Sequence, residues 1–192
     1  MATPSAFQQA SKTKGDLRFR SRLLKALRKY KPVSRVKGVR VGIFPDAVYP
    51  DGTPVAQAAF FAEYGTSTEP PRPFMRQTVE WERDDVGKLI AQKLAEHDGN
   101  MTEALLNAGE TMASRMKVML ASGDFDPLSP ITLMLRRLVD EGLLTRESIG
   151  GADVGYAAML VERGEQGATG ERARPLLDTM QMYDSITSRP IT

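Results

Sequence analysis

One histidine, His97, would have to serve any catalytic triad, histidine base or multi-imidazole metal site in this chain. It stands between Glu96 and Asp98 at the expected end of a helix, where the dipole favours a cation, so it reads as an ordinary helix-end side chain. Asp124-Phe125-Asp126 opens like a calcium loop, but Leu128 falls on the next ligand position and no glycine follows in register. That segment reads as a turn. Gly164, Gly167 and Gly170 miss the dinucleotide-binding pattern, and no Gly-Lys-Ser/Thr element offers a phosphate loop. Cysteine is absent, which removes thiolate nucleophiles, disulfides and Cys-based zinc sites. The expectation is a protein that is not an enzyme and carries no cofactor or metal.

Charge points elsewhere. Twelve Lys and Arg in residues 1–40 face only Asp16, a net +11, so with +2 for the whole chain the remainder holds −9. Such a split suits a face for an anionic partner, either nucleic acid or the acidic surface of a neighbouring subunit; a solvated helix face is the bland alternative. Arg18, Arg22, Lys25 and Lys29 are the candidate interface or DNA-facing residues. Phe19 and Tyr30 belong to the apolar stripe of the same segment, so any nucleic-acid contact would be to phosphates and not sequence-specific. The composition fits a reducing cytoplasm, with no apolar run near the roughly 18 residues of a membrane span.

The elements follow from periodicity and punctuation. Residues 1–15 read as a flexible basic arm, and 16–192 as a single domain. A helix is expected from Asp16 to Pro32, with Phe19, Leu23, Ala26, Leu27 and Tyr30 on one side. Val36 to Phe44 alternates as a half-buried strand. A helix capped by Thr53 and begun by Pro54 ends at Gly65, with Val55, Ala58, Ala59 and Ala62 as a small-residue face. Residues 66–73 form a rigid proline-rich crossing. One long helix is expected from Phe74 to His97, another from a Thr102 cap to Gly123, and a third from Ser129-Pro130 to about Glu141. The methionines at 112, 116, 119 and 134 read as core filling. Glycines make 143–173 a long loop, in which Tyr156 to Val161 could form a short element. A turn or short helix near Pro175–Tyr183 leads to a last strand from Ser185 to about Ile191.

Several short stretches, spread from about residue 38 to 190, carry a pattern. The strand ending Val41-Gly42-Ile43-Phe44, the helix ending Glu63-Tyr64-Gly65-Thr66 and the turn Pro71-Arg72-Pro73-Phe74 stand in one order. Pro127-Leu128-Ser129-Pro130 with Thr132, Leu133 and Arg136-Arg137 follows, then Arg174-Pro175-Leu176-Leu177-Asp178-Thr179 with Met182, Ser185 and Ile186. Together they resemble the neck and tail-completion proteins of tailed bacteriophages, a family of minor tail or virion morphogenesis proteins. Where that family has glycine after the Asp-Thr pair, this chain has Met180. The candidate structural signature is Tyr64, Gly65, Arg72, Pro73, Phe74, Asp178 and Thr179. Arg72 can pair with a carboxylate or carbonyl while Phe74 anchors in the core; Asp178 and Thr179 are natural turn or capping residues.

The resulting expectation is an α+β fold: a small antiparallel sheet, built from near both chain ends, packed against two or three long helices, with an extended loop. The resemblance implies a virion structural protein at the head–tail junction or top of the tail, made in the host cytoplasm. It implies a ring of six or twelve copies on the tail axis, meeting neck, connector or tail-tube proteins, with genomic DNA in its lumen and no membrane. The alternative is a small non-sequence-specific nucleic-acid-binding protein acting through the basic N-terminal helix.

Overall fold

The computed structural model describes residues 36–192. The arm over 1–15 and the basic helix with Arg18, Arg22, Lys25 and Lys29 lie outside the described residues. The fold is α+β: among the described residues there are seven helices and one two-stranded antiparallel sheet whose strands lie near the two ends of the chain. In order these are β1 (Gly38–Ile43), α1 (Val55–Tyr64), α2 (Phe74–Glu82), α3 (Val86–Glu96), α4 (Met101–Ser122), α5 (Pro130–Asp140), α6 (Gly151–Glu162), α7 (Gln181–Asp184) and β2 (Ile186–Ile191).

β1 and β2 pair from Gly38 opposite Ile191 to Ile43 opposite Ile186. Pro190 can sit in β2 because a two-stranded sheet consists only of edges. One face of the sheet lies on α4. The approach is close enough that a Cβ on Gly109 would stand 2.4 Å from Val39 Cγ1, so only glycine fits there. Ala113, Met116 and Leu120 continue that row into the main core, with Val55, Ala59, Phe74, Leu177, Met182 and Ile186. A second, separate core joins α5 to α6 through Met134, Leu138, Ala157 and Leu160. No helix among the described residues is long and apolar enough to cross a membrane.

Three expectations are corrected. The helix expected from Phe74 to His97 is two helices, α2 and α3. Between them Arg83-Asp84-Asp85 turn the chain, with the Asp85 amide donating to the Glu82 carbonyl at 2.9 Å. Glu82 still meets α4 through Arg115, but Arg83, Asp84 and Asp85 are charged and exposed and offer no apolar side chain to carry the helix on along it. Thr102 is not the cap of α4. Asn100 Oδ1 accepts from the amides of Thr102 and Glu103 at 3.1 and 3.3 Å.

The expected loop over 143–173 holds α6 and two 3-10 turns, Arg146–Ser148 and Gly170–Ala173. Asp153 opens α6 by accepting the Gly150 amide at 2.8 Å. Gly155 sits within the helix with open space beside it, and the packing of Ala157 and Leu160 outweighs its poor propensity. Ser129 and Pro130 do open α5, as the sequence predicts, with Ser129 Oγ accepting the Thr132 amide at 3.1 Å.

Met180 has φ 60° and ψ −10°, a left-handed conformation, at the position where the resembling family has glycine. Relief of left-handed strain of about 1–2 kcal/mol outweighs the chain entropy glycine adds, roughly 0.5–1 kcal/mol. Met180→Gly is expected to stabilise the fold by about 1 kcal/mol. A rise of about 2–4 °C in thermal midpoint is the readout; a fall would show that the Met180 side chain contributes more than its backbone costs.

Candidate functional site

The corner between α1 and α2 is built around a buried carboxylate. Glu63, 4% exposed, closes α1 and reaches across to the start of α2. Its Oε2 accepts the Met75 amide at 3.0 Å, and its Oε1 accepts both the Arg76 amide and Arg76 Nε at 2.9 Å. Arg76 Nη2 donates back to the Glu63 carbonyl at 2.5 Å. A carboxylate here satisfies free amides of the first turn and meets the positive end of the dipole. Gly65 has φ 75°, and a Cβ there would lie 2.9 Å from both Glu69 O and Pro71 N, so the Tyr64-Gly65-Thr66 turn admits no side chain at its centre.

The other signature residues of this corner take the places the sequence suggests. Arg72 is buried, its Nη1 donating to Glu69 Oε2 at 3.0 Å and its Nε to the Asp126 carbonyl at 3.4 Å. Pro73 precedes the first turn of α2, and Phe74 is fully buried in the main core. Tyr64 is exposed, its ring 4.8 Å from that of Phe60 and beneath the Arg76 guanidinium.

Of the two roles the sequence suggests for Asp178, turn or cap, it takes the turn, at a bend of the chain. It is the shared anion of three guanidiniums. Arg146 clasps both its oxygens, Arg136 Nε lies 3.3 Å from Oδ1, and Arg172 Nη1 lies 3.4 Å from the same oxygen while donating to the Asp178 carbonyl. Arg136, 8% exposed, also holds the chain entering this turn: Nη1 donates to the carbonyls of Arg172 and Arg174 at 2.8 Å, and Nη2 to Pro175 at 3.3 Å. Burial pushes the Arg136 pKa down. Asp178 opposes that shift, while Arg172, Arg146 and Arg72 add to it. Thr179 fits its expected role, its Oγ1 accepting the Gln181 amide at 3.4 Å.

Arg172 extends this hub to Asp140 at the end of α5, donating from Nε to Oδ2 at 2.8 Å and pairing Nη2 with Oδ1. The Arg172 hydrogen bond is the main cause holding the Asp140 carboxyl below its ordinary 3.8, with the charges of Arg172, Arg146 and Arg136 adding. A depressed folded-state pKa contributes stability that is complete above the unfolded value and lost as pH falls through the folded one. The Asp140 side chain is 41% exposed, so water screens the pair and the contribution is small. Wild type is expected to lose its advantage over Asp140→Asn as pH falls below about 4. Urea midpoints of the two proteins across that range measure it, and parallel curves would dismiss the linkage.

In both clusters the carboxylate is taken up by backbone amides or guanidiniums. Among the described residues no buried side-chain polar atom lacks a hydrogen-bond partner, and no group of acids and histidines could hold a metal ion. His97 is half-buried at the end of α3, its amide donating to the Lys93 carbonyl. Asp124 and Asp126 flank a short irregular connection in which the Phe125 amide donates to the Gly123 carbonyl at 3.0 Å.

Among the described residues, two helices expose apolar faces. α1 reads Val-Ala-Gln-Ala-Ala-Phe-Phe-Ala-Glu-Tyr, apolar on nearly all sides, yet it buries only Val55, Ala59 and Glu63 and exposes Phe60, Phe61 and Tyr64. α6 is similar: Ala157 and Leu160 are buried while Val154 and Tyr156 face outward. Helices apolar around their circumference are ordinarily covered on all sides. These two faces belong to different cores, α1 to the main one and α6 to the α5–α6 hairpin.

The sequence reading missed the roles of Glu63, Arg146 and Arg172. A cap normally announces itself within three residues of a helix start, whereas Glu63 acts from 12 and 13 residues away. Comparison of the chain with protein-family models, with curated proteins and with solved structures found no match.

Proposed function

We propose that this protein is a structural subunit of the head–tail junction of a tailed bacteriophage, assembling as a ring on the tail axis to join tail to head. The observation that carries the reading is the pair of exposed apolar faces on α1 and α6, two different surfaces on separate cores. A cyclic assembly uses heterologous contacts, in which one face of each copy meets a different face of the next. The resemblance of the Tyr64–Phe74 and Arg174–Ile186 signatures to neck and tail-completion proteins supplies the place. Their geometry supports a mechanical part: each fixes backbone through one buried charged side chain, Glu63 on the amides opening α2 and Arg136 on the carbonyls before β2. Six or twelve copies, contact with connector or tail-tube proteins, and a virion location follow from the same reading.

Electron microscopy of lysates from phage lacking the gene tests it. Separate filled heads and free tails are expected; intact infectious particles would remove the reading. Phe61→Asp and Tyr156→Asp, both at exposed positions, are expected to leave the fold intact and abolish the ring in native mass spectrometry. A second reading rests on the +11 of residues 1–40: non-specific binding of DNA by the isolated monomer, falling steeply with salt.

A further inference from the structure

Between Phe125 and Leu176, both packed against the main core, the chain makes an excursion that holds together by itself. Met134, Leu138, Ala157 and Leu160 give it a core of its own. Polar contacts join the return of the chain to this hairpin. The Ala168 amide donates to the Leu133 carbonyl at 2.8 Å, Arg172 pairs with Asp140, and Arg136 holds the carbonyls of Arg172, Arg174 and Pro175. What fastens residues 129–175 to the rest is narrow and polar. Among the described residues, the side-chain hydrogen bonds and ion pairs that cross end on Asp178, reached by Arg136, Arg146 and Arg172, and on the Ala121 carbonyl, reached by Arg174.

We propose that residues 129–175 form an arm that swings as a unit, with 126–128 and the 175–176 junction as its hinges and Asp178 as its latch. Hinges lie where regular structure ends, and residues 123–129 belong to no helix or strand. A joint closed by charge instead of a large apolar interface permits such motion. Like charge also stands on both sides of it. Burial is the main cause of the lowered Arg136 pKa, and Arg72, buried at the α1–α2 corner, is among the cations that add to it.

Opening separates Asp178 from its guanidiniums and Arg174 from the Ala121 carbonyl. The side chains of Arg146 and Arg172 are each 33% exposed, so water takes over from the carboxylate there. Arg136 keeps its three carbonyls, which travel with it, and moves away from Arg72. The arm carries α6, where Val154 and Tyr156 are exposed, so its swing sets the place at which that face meets a neighbouring copy. This use rests on the ring reading; the motion does not.

The chain has no cysteine, so two introduced ones report a single distance. Ser114→Cys on α4 and Glu162→Cys at the end of α6, both at exposed positions, carry spin labels in the full-length protein. An excess of unlabelled protein confines the distance, read by pulsed electron resonance, to one chain. One main distance is expected while Asp178 is in place. Asp178→Asn is expected to raise a second distance severalfold, from a minor component to a major one. A pair within the arm, Leu143→Cys with Glu162→Cys, is expected to keep one distance with and without Asp178→Asn. Should Asp178→Asn fail to fold, Arg146→Met, which removes one of the partly exposed partners of the latch, replaces it with the same readout. A Ser114–Glu162 distance that these substitutions leave unchanged would make the arm rigid and overturn the inference. A distance within the arm that broadens would mean unfolding instead of swinging, and would equally overturn it. A swinging arm in a protein that forms no ring would leave the motion standing and remove only its use; a rigid arm in a ring would do the reverse.

Discussion

Asp178→Ala is expected to destabilise the protein by about 2–3 kcal/mol, less than the ~3–5 kcal/mol for breaking a fully buried ion pair because the Asp178 side chain is 32% exposed. The size follows from what remains. Arg136 and the side chains of Arg146 and Arg172 converge on this one carboxylate, and Arg136 is nearly inaccessible to water. Without the anion three positive charges share a partly dry site. Arg172 keeps Asp140, but Arg136 keeps only backbone carbonyls. The loss is expected to concentrate at the attachment of the α5–α6 hairpin, because that hairpin has its own core and the hub ties it to the segment before β2. Urea unfolding gives the magnitude and limited proteolysis near 140–175 gives the place. Adding Arg136→Met to Asp178→Ala is expected to recover part of the loss, since it removes the most deeply buried of the stranded charges. A double variant no better than the single would mean that packing, not charge, sets the cost.

Glu63→Ala is expected to cost about 3 kcal/mol, combining the loss of a charge-assisted cap with stranded amides at a buried helix start. Its carboxylate serves the amides of Met75 and Arg76 and the Arg76 side chain at once. Glu63→Gln separates the contributions. The amide keeps one acceptor for a backbone N–H but turns an NH2 group toward the other donors, so it is expected to lose nearly as much as alanine. A loss below about 1 kcal/mol for Glu63→Gln would show that shape and one hydrogen bond suffice. Thermal unfolding of the three proteins decides it, and hydrogen exchange at Met75 and Arg76 shows whether the first turn of α2 frays.

The sheet was legible because Val39, Val41 and Ile43 alternate, and because β2 follows a turn marked by Asp178 and Thr179. The ends of α4 and α5 were legible in Gly123 and in Ser129-Pro130, where local chemistry decides local structure. α6 was legible only in part, as a possible short element from Tyr156 to Val161: apolar residues lie on nearly every side, so periodicity has little to detect, and its glycines read as breaks until Met134 and Leu138 are known to lie beneath it. The Asp178 hub was illegible for another reason. Arg136, Arg146 and Arg172 come from three elements, and the sequence holds no spacing that says one carboxylate serves them all. Asp178 therefore looked like a turn residue, which its place in the chain also makes it.

The pairing of β1 with β2 has a consequence for how the molecule is made. Every helix of the described residues is translated between the two strands, so β1 leaves the ribosome long before its partner exists. Until residues 186–191 emerge, α4 lacks the cover of β2 and Ile186 is missing from the main core. The nascent chain therefore carries an open apolar helix face and an unpaired strand edge at the same time, the two features that most attract chaperones and promote aggregation. Ribosome stalling just before and just after β2 would mark the step, with protease resistance rising sharply between the two lengths.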